Sequence, residues 1–238
     1  QIIKLNAIDS TNQYLHDLVG QISLEDFATV TAKYQTNGRG QRATTWQSEK
    51  GKNLIISILK KEINLNAQYQ FLLNIIVSLA LYKTVEALQI PKLSIKWPND
   101  ILSHDKKVAG VLIELILKKN TIDQAIIGIG LNVNQLNFKN LPKASSLKNS
   151  TGIHYDLNEL LHKLLKNIKH YFYIKNPDEL WIAYENVLFR RGKPSTFIDL
   201  NGDSFSGIIK GVSRQGKLTV KTENSIEEFD LKSIKLLY

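Results

Sequence analysis

The segment from Asn66 to about Leu88 constrains the fold most, because it has the pattern of a helix that is apolar on nearly every side. One face is formed by apolar residues at helical spacing, namely Phe71, Leu72, Ile75, Ile76, Leu79 and Tyr82. Leu73, Val77 and Leu81 make the opposite side apolar as well. A helix without a polar face must be covered by other elements. The pattern therefore predicts a helix at the centre of a folded core, with Asn66 as its N-cap.

The composition is typical of a protein from a reducing compartment. The 238 residues include no cysteine, which excludes disulfides, thiolate metal sites and a thiol nucleophile. The longest apolar run, residues 71–82, is interrupted by Asn74 and Ser78 and is too short to span a bilayer. No signal-peptide pattern opens the sequence. We therefore expect a soluble, cytoplasmic protein that is not attached to a membrane.

Before Arg190 the sequence alternates between strand and helix patterns. Strands are predicted at residues 29–35, 53–59, 93–97, 108–117 and 124–129, and helices are predicted to begin at Ser10, Asn66, Asp156 and Asn176. A turn at Lys119-Asn120 is expected to join the last two strands into a hairpin. The polar segment 135–151 is predicted to be an exposed or mobile loop.

After Arg190 the pattern changes to short strands separated by turns. The candidates are residues 195–200, 205–212, 217–221 and 226–231, with turns at Asn201-Gly202 and Gln215-Gly216. This pattern predicts a small all-β barrel of about 48 residues, which is too small for a large core of its own. We therefore expect two domains, residues 1–189 and residues 190–238.

Two polar motifs lie near the start of the chain. Ser10-Thr11-Asn12 places three small hydrogen-bonding side chains at a helix start, where they either cap the helix or form the edge of a polar pocket. Gly38-Arg39-Gly40 lies between Gln35 and Trp46. Glycines let backbone N–H groups approach an anion, and an arginine pairs bidentately with carboxylate or phosphate. The motif is therefore either an anion-binding loop, over which Trp46 stacks, or an ordinary turn.

Two further motifs combine lysines with oxygen ligands. Lys96-Trp97-Pro98-Asn99-Asp100 ends a strand in a turn, and its amide and carboxylate could orient a nucleotide phosphate through Mg²⁺. An Asn-Asp turn without function is the alternative. Lys107-Val108-Ala109-Gly110 opens an apolar strand. A lysine there faces either a cavity, an anion or the edge of a hairpin.

The charge of +9 indicates an anionic partner, which could be nucleic acid, a nucleotide or an acidic protein. The basic residues are scattered, so a solvated lysine-rich surface explains them equally well. The sequence has no Walker A loop, no Gly-x-Ser-x-Gly elbow and no histidine spacing typical of a metal site.

In this order, the four motifs resemble those of the biotin–protein ligase family. The resemblance continues through residues 128–134, Gly-Ile-Gly-Leu-Asn-Val-Asn, and through Arg191-Gly192-Lys193-Pro194, so it covers essentially the whole chain. The string at residues 96–100 is highly specific. The resemblance implies an α/β (α+β) fold, in which a catalytic domain with a mixed sheet flanked by helices precedes an SH3-like β-barrel.

The family resemblance also implies a reaction in two steps. The carboxylate of biotin attacks the α-phosphate of ATP, giving biotinyl-5′-AMP and pyrophosphate. A lysine amine of a biotin carboxyl carrier protein then attacks the acyl carbon and releases AMP. The expected ligands are therefore biotin, ATP and Mg²⁺.

Site residues follow from the same resemblance. The biotin site is expected to contain Ser10, Thr11, Asn12, Gln35, Gly38, Arg39, Gly40, Gln41, Lys107 and Gly110. The ATP site is expected to contain Trp46, Lys96, Asn99, Asp100 and Asn132. The expected catalytic residues are Lys107, Arg39 and Asp100, with Lys107 as the main electrostatic catalyst. Asp100 is expected to orient the metal ion or the incoming amine.

The sequence departs from the family at two positions and leaves alternatives open. Gln41 and Thr44 stand where many members carry arginine, and Arg42 could supply part of that charge. Ser10 lies so near the start that the given sequence has no room for an N-terminal helix-turn-helix, so we expect no operator binding. The oligomeric state stays open, with a homodimer as one alternative.

Two other functions compete with biotin ligation. A lipoate or octanoate ligase would share the fold and the acyl-adenylate chemistry. A basic nucleic-acid-binding module would need aromatic stacking platforms. The barrel offers Phe197, Phe205, Phe229 and Tyr238, of which the first two lie in apolar alternation typical of a core.

Overall fold

The computed structural model of the protein describes residues 1–41 and 44–238, so Arg42 lies outside the described residues. The strands in chain order are β1 (Ile2–Leu5), β2 (Thr29–Ala32), β3 (Leu54–Lys60), β4 (Leu65–Asn66), β5 (Leu93–Lys96), β6 (Asp100–Ser103), β7 (Lys106–Lys118), β8 (Thr121–Leu131), β9 (Pro194–Asp199), β10 (Ser204–Val212), β11 (Leu218–Lys221), β12 (Ile226–Phe229) and β13 (Ile234–Leu237). The helices are α1 (Thr11–Gln21), α2 (Phe71–Glu86), α3 (Leu147–Thr151), α4 (Leu157–Phe172) and α5 (Pro177–Asn186).

These strands form two sheets. The first has the order β1-β2-β3-β8-β7-β6-β5, with β4 paired to β8. It is mixed, because β1 and β2 run parallel while the other neighbours run antiparallel. The second sheet is antiparallel, with the order β12-β11-β10-β9-β13. The predicted fold class is confirmed, while a domain boundary between residues 189 and 190 stays a prediction.

Helix α2 is buried on nearly every side, as its sequence predicted. It packs against β5, β6 and β7 of the first sheet on one side and against α4 and α5 on the other. Helix α4 contributes the apolar stripe Leu160, Leu161, Leu164 and Ile168, which is buried in the same core. This packing supports β5, β6 and β7 from one face, so that they hold the side chains on the opposite face of the sheet in place. Among the described residues, no helix is long and apolar enough to cross a membrane.

The prediction of an exposed or mobile loop at residues 135–151 agrees with residues 136–143, most of which are exposed, and was wrong for the second half of the segment. The segment contains α3, whose N-cap Ser146 is fully buried, as is Leu147. The backbone of Lys107 donates to the carbonyl of Lys143 and accepts from the N–H of Ser145. In this second half, polar groups bond to one another and to the strand ends, so Ser145 and Ser146 are buried.

Smaller differences concern the ends of elements. Asn66 caps a short 3-10 helix, Ala67–Tyr69, and α2 begins only at Phe71. Strands β1, β4, β6 and β13 lie outside the predicted segments, because runs of two to four residues carry little alternation. The hairpin turn at Lys119 is confirmed, and its positive φ of 59° is the left-handed geometry of a tight turn.

Candidate functional site

The main cavity has a volume of about 540 Å³ and is lined by both sheets. The first sheet and its loops supply most of the wall. The barrel closes one side with Phe197, Ile209, Leu218, Leu231, Lys232, Ile234, Lys235 and Leu236. A cavity of this size is typical of a site for small organic ligands.

Most residues expected from the sequence line this cavity. They are Ser10, Thr11, Asn12, Gln35, Arg39, Gly40, Gln41, Trp46, Lys96, Asn99, Asp100, Lys107 and Gly110. Gly38 instead borders a second cavity of about 420 Å³, which it shares with Arg39, Gly40 and Glu114. Asn132 lines neither cavity, and its amide nitrogen donates to the carbonyl of Ser145. Its geometry points to a structural role in anchoring the segment 135–146, and a nucleotide contact stays a prediction.

Two glycines on β8 make room for side chains over the sheet. A Cβ added at Gly130 would lie 2.5 Å from Cζ2 of Trp46, so the indole rests directly on this strand. A Cβ added at Gly128 would lie 3.0 Å from Nδ2 of Asn12. Any larger residue at either position would therefore displace a side chain that lines the cavity.

Lys107 and Asp100 form an ion pair at the wall of the cavity. They come from neighbouring antiparallel strands, β7 and β6, and the lysine Nζ lies 2.6 Å from Oδ1 of the aspartate. The same Nζ lies 5.6 Å from the centre of the Trp46 ring. Asp100 is the single acidic residue among the described cavity-lining residues, and the other charged residues among them are basic. Its carboxylate holds the ammonium group of Lys107 at the wall.

The turn between β5 and β6 is fixed from three directions. The hydroxyl of the buried Tyr184 donates to the Pro98 carbonyl at 2.8 Å, and burial raises the pKa of this phenol well above its usual value. The Trp97 indole N–H donates to the Gly216 carbonyl of the barrel at 2.9 Å. The Asn99 amide donates to the Val111 carbonyl. Because its neighbours are held this way, Asp100 projects into the cavity from a rigid position.

Lys96 adds a second cation whose charge is partly destabilised. Burial lowers the pKa of Lys96, the neighbouring Asp100 opposes this, and Lys107 and Lys235 lower the pKa further. Its Nζ lies 5.4 Å from the centre of the Tyr238 ring. With Lys232, which also lines the cavity, this end of the site is strongly basic and suited to a polyanion.

Arg39 is a further cation of the cavity wall, with polar partners of its own. Its guanidinium donates to Gln13 Oε1 at 2.8 Å and lies 3.9 Å from Glu114 Oε1. Its described polar contacts do not include Asp100 or Lys107. Arg39 and Lys107 line the same cavity with different acidic partners, and a catalytic role for Arg39 stays a prediction.

The sequence motifs missed several residues of the site. Ser57 donates to Asn12 Oδ1 at 2.5 Å, and Glu114 accepts from Asn12 Nδ2 at 2.7 Å. Each is a polar residue inside an otherwise apolar strand, a signal that could have been used. Lys232 and Lys235 carry no such signal, because they reach the cavity only through the position of the barrel.

The chain is similar in sequence to proteins of one family over most of its length. A model of the Biotin/lipoate A/B protein ligase family matches residues 5–132. The bifunctional ligase/repressor BirA of Salmonella typhimurium is 30% identical over 231 residues, which are 94% of this chain and 70% of that protein. The same-named protein of Bacillus spizizenii is 31% identical, covering 99% of this chain and 74% of its own length.

A solved structure extends the similarity to the whole chain. The biotin protein ligase from Aquifex aeolicus in complex with biotin and ATP is 29% identical and superposes with a TM-score of 0.81, covering 100% of this chain and 98% of that one. The chain belongs to the biotin/lipoate A/B protein ligase family. Within this family, the relatives named above are biotin ligases or ligase/repressors, which confirms the resemblance found in the sequence.

Proposed function

We propose that the chain ligates biotin to a protein lysine with ATP, through biotinyl-5′-AMP. The observation that carries this proposal is one cavity with two different ends. Buried uncharged polar side chains at Ser10, Thr11, Asn12 and Gln35 form one end, and a lysine cluster forms the other. A ligase that activates a neutral ring bearing a carboxylate must bring these two environments together.

The side chains present can perform the first step. The uncharged end would bind the ring system of biotin, and apolar residues of β3, β7 and β8 would cover its aliphatic part and exclude water. The carboxylate and the α-phosphate repel each other as they approach. Lys107, held by Asp100, would stabilise the negative charge that develops between them. Lys96 would bind the nucleotide phosphates.

The residues also fit Mg²⁺ that arrives with the nucleotide. The described residues contain no cluster of three or more histidine, aspartate or glutamate ligands, so a metal ion would be held by phosphates, water and one carboxylate. Asp100 is that carboxylate. The ion would supply additional neutralisation of phosphate charge.

We also propose that the acceptor is a biotin carboxyl carrier protein with an acidic surface. The charge of +9 would favour such a partner through long-range attraction. Homodimer formation and a cytoplasmic location stay predictions.

Lys96 gives the proposed ATP site a pH dependence. Because the pKa of Lys96 is lowered from 10.5, its charge is lost at a lower pH than that of a free lysine. The KM for ATP should therefore begin to rise at a pH below 10.5, where a free lysine would still be charged, whereas Lys96→Arg should keep KM flat because arginine stays charged. Burial penalises the charged form, so folding stability should increase over the same range. Lys33→Arg, at an exposed position, should keep the wild-type profile. A wild-type KM that is flat over this range would contradict a phosphate contact.

The experiment that tests the proposed function is the exchange of labelled pyrophosphate into ATP. It reports adenylate formation without a carrier protein, and lipoate serves as the competing acid because a lipoate ligase would use the same chemistry.

A further inference from the structure

Five polar side chains form a continuous line of hydrogen-bonding contacts beside the cavity, which we call the relay: Glu114, Asn12, Ser57, Thr11 and Gln35. From the outer end, Asn12 Nδ2 lies 2.7 Å from Glu114 Oε2, and Asn12 Oδ1 lies 2.5 Å from Ser57 Oγ. Ser57 Oγ lies 2.8 Å from Thr11 Oγ1, which lies 3.0 Å from Gln35 Oε1. The four inner members are buried, and Thr11 and Gln35 line the cavity.

The orientation of both ends of the relay is fixed. An ionised carboxylate has no proton to donate, so Asn12 must turn its NH₂ group toward Glu114 and its oxygen toward Ser57. At the other end, the backbone N–H of Thr11 donates to Gln35 Oε1 at 2.8 Å. This bond keeps the oxygen of the Gln35 amide toward Thr11.

Between these ends the relay lacks one proton. Three oxygen–oxygen contacts follow one another, from Asn12 to Ser57, from Ser57 to Thr11 and from Thr11 to Gln35. Only two hydroxyl protons, one on serine and one on threonine, are available to fill them. The contact between Asn12 Oδ1 and Ser57 Oγ is the shortest at 2.5 Å, so we assign the serine proton to it and the threonine proton to the 2.8 Å contact with Ser57. The longest contact, 3.0 Å between Thr11 Oγ1 and Gln35 Oε1, then has no proton. Two buried acceptors then face each other at the cavity, which is unfavourable until a donor arrives.

We propose that Glu114 is a positioning residue which, through Asn12 and Ser57, keeps the Thr11–Gln35 pair as an acceptor site for a ligand N–H. This inference rests on the proposed function, in which the ligand is biotin and the donor is one N–H of its cyclic urea. The site then recognises a ring N–H, which the dithiolane of lipoate lacks. Glu114 needs no contact with the ligand to exert this effect.

Other features of the fold support the relay. Leu112 on β7, two residues before Glu114, pairs with Gly128 on β8, where the missing side chain leaves the space that the Asn12 amide occupies. The second carboxylate oxygen of Glu114 lies 3.9 Å from the Arg39 guanidinium. This cation orients the carboxylate, so that Oε1 faces Arg39 and Oε2 faces Asn12.

Glu114→Gln tests the proposal because the change is nearly isosteric and replaces an acceptor facing Asn12 by a donor, although it also removes the negative charge beside Arg39. The glutamine oxygen should face Arg39, so its NH₂ group faces Asn12. The Asn12 amide then reverses its orientation, so that its oxygen faces residue 114 and its NH₂ group faces Ser57. Every contact of the relay then contains one proton, and no donor from a ligand is needed. We expect the Kd and the KM for biotin to rise about ten- to hundredfold, with kcat at saturating biotin and the KM for ATP changed less than about twofold.

Analogues identify the N–H group involved. In two cyclic-carbamate analogues of biotin, each ureido N–H in turn is replaced by oxygen. One analogue should bind to the wild-type protein about as weakly as biotin binds to Glu114→Gln. Glu114→Gln should bind this same analogue with about the affinity that the wild-type protein shows for it. If Glu114→Gln weakened the binding of both analogues by the same factor, relative to wild type, the assignment of one N–H to the Thr11–Gln35 pair would be overturned.

Two further variants separate the relay from a loss of folding. Ser57→Ala should weaken biotin binding similarly, and adding Glu114→Gln to it should cause no additional loss, because the connection is already broken. Glu159→Gln removes an exposed carboxylate on α4 and should leave binding unchanged. Unchanged biotin affinity in folded Glu114→Gln would refute the relay. Absence of biotin binding by wild type would refute the proposed function itself, so the two failures are distinguishable.

Discussion

Lys107→Ala is expected to lower the rate of biotin-dependent pyrophosphate exchange by at least about a hundredfold. The amine lies 2.6 Å from Asp100 and 5.6 Å from the Trp46 ring, at the wall where the carboxylate and the phosphate would meet. Without this cation, the developing negative charge would lie beside Asp100 with less positive charge to compensate it. The measurement is the exchange rate at saturating biotin and ATP.

The adjacent lysine provides a matched control for this prediction. Lys106 is exposed at the start of β7 and lines neither cavity, so Lys106→Ala should exchange at nearly the wild-type rate. Because the Lys107–Asp100 pair is partly exposed, Lys107→Ala should also remain folded. Retention of more than about a tenth of the exchange rate by folded Lys107→Ala would remove Lys107 from the account of catalysis.

Gly130→Ala is expected to raise the KM for ATP about tenfold or more. The added methyl group would occupy the surface on which the Trp46 indole rests, with Cζ2 at 2.5 Å and Cδ2 at 2.8 Å. The ring would have to leave the sheet, and any stacking on the nucleotide base would be lost. Stacking of one base on an aromatic side chain contributes about 1–3 kcal/mol, which corresponds to this change in KM.

Gly20→Ala is the control for this substitution, because no atom lies within 4 Å of the position that a Cβ would occupy there. It lies in α1, so it should stabilise the protein by about 0.5–1 kcal/mol and leave the KM for ATP unchanged. If Gly130→Ala binds ATP like wild type, the indole is not part of the nucleotide site.

The site could be predicted largely from contiguous motifs. Residues 10–12, 96–100 and 107–110 each occupy one strand end, turn or helix start, and such short segments keep their local geometry in the fold. The buried helix α2 was predictable for a related reason, because its apolar residues repeat on every side.

The other residues of the site could not be predicted, because their positions depend on contacts between segments that are distant in sequence. Glu114 gains its importance from Asn12, which lies 102 positions away in sequence. Lys235 reaches the cavity only because the barrel lies against the first sheet, and no local pattern encodes that contact. The polarity of residues 135–151 was misleading for the opposite reason, since Ser146 is polar and yet fully buried at a helix N-terminus.

The most direct test of the proposed function is pyrophosphate exchange by the wild-type chain with biotin and with lipoate as alternative acids. We expect exchange that depends on biotin and is absent with lipoate, because the cavity combines an acceptor site for a ring N–H with a lysine cluster for phosphates. Exchange with lipoate alone would identify a lipoate ligase on the same fold. No exchange with either acid, from folded protein, would contradict the proposal that this cavity activates a carboxylate.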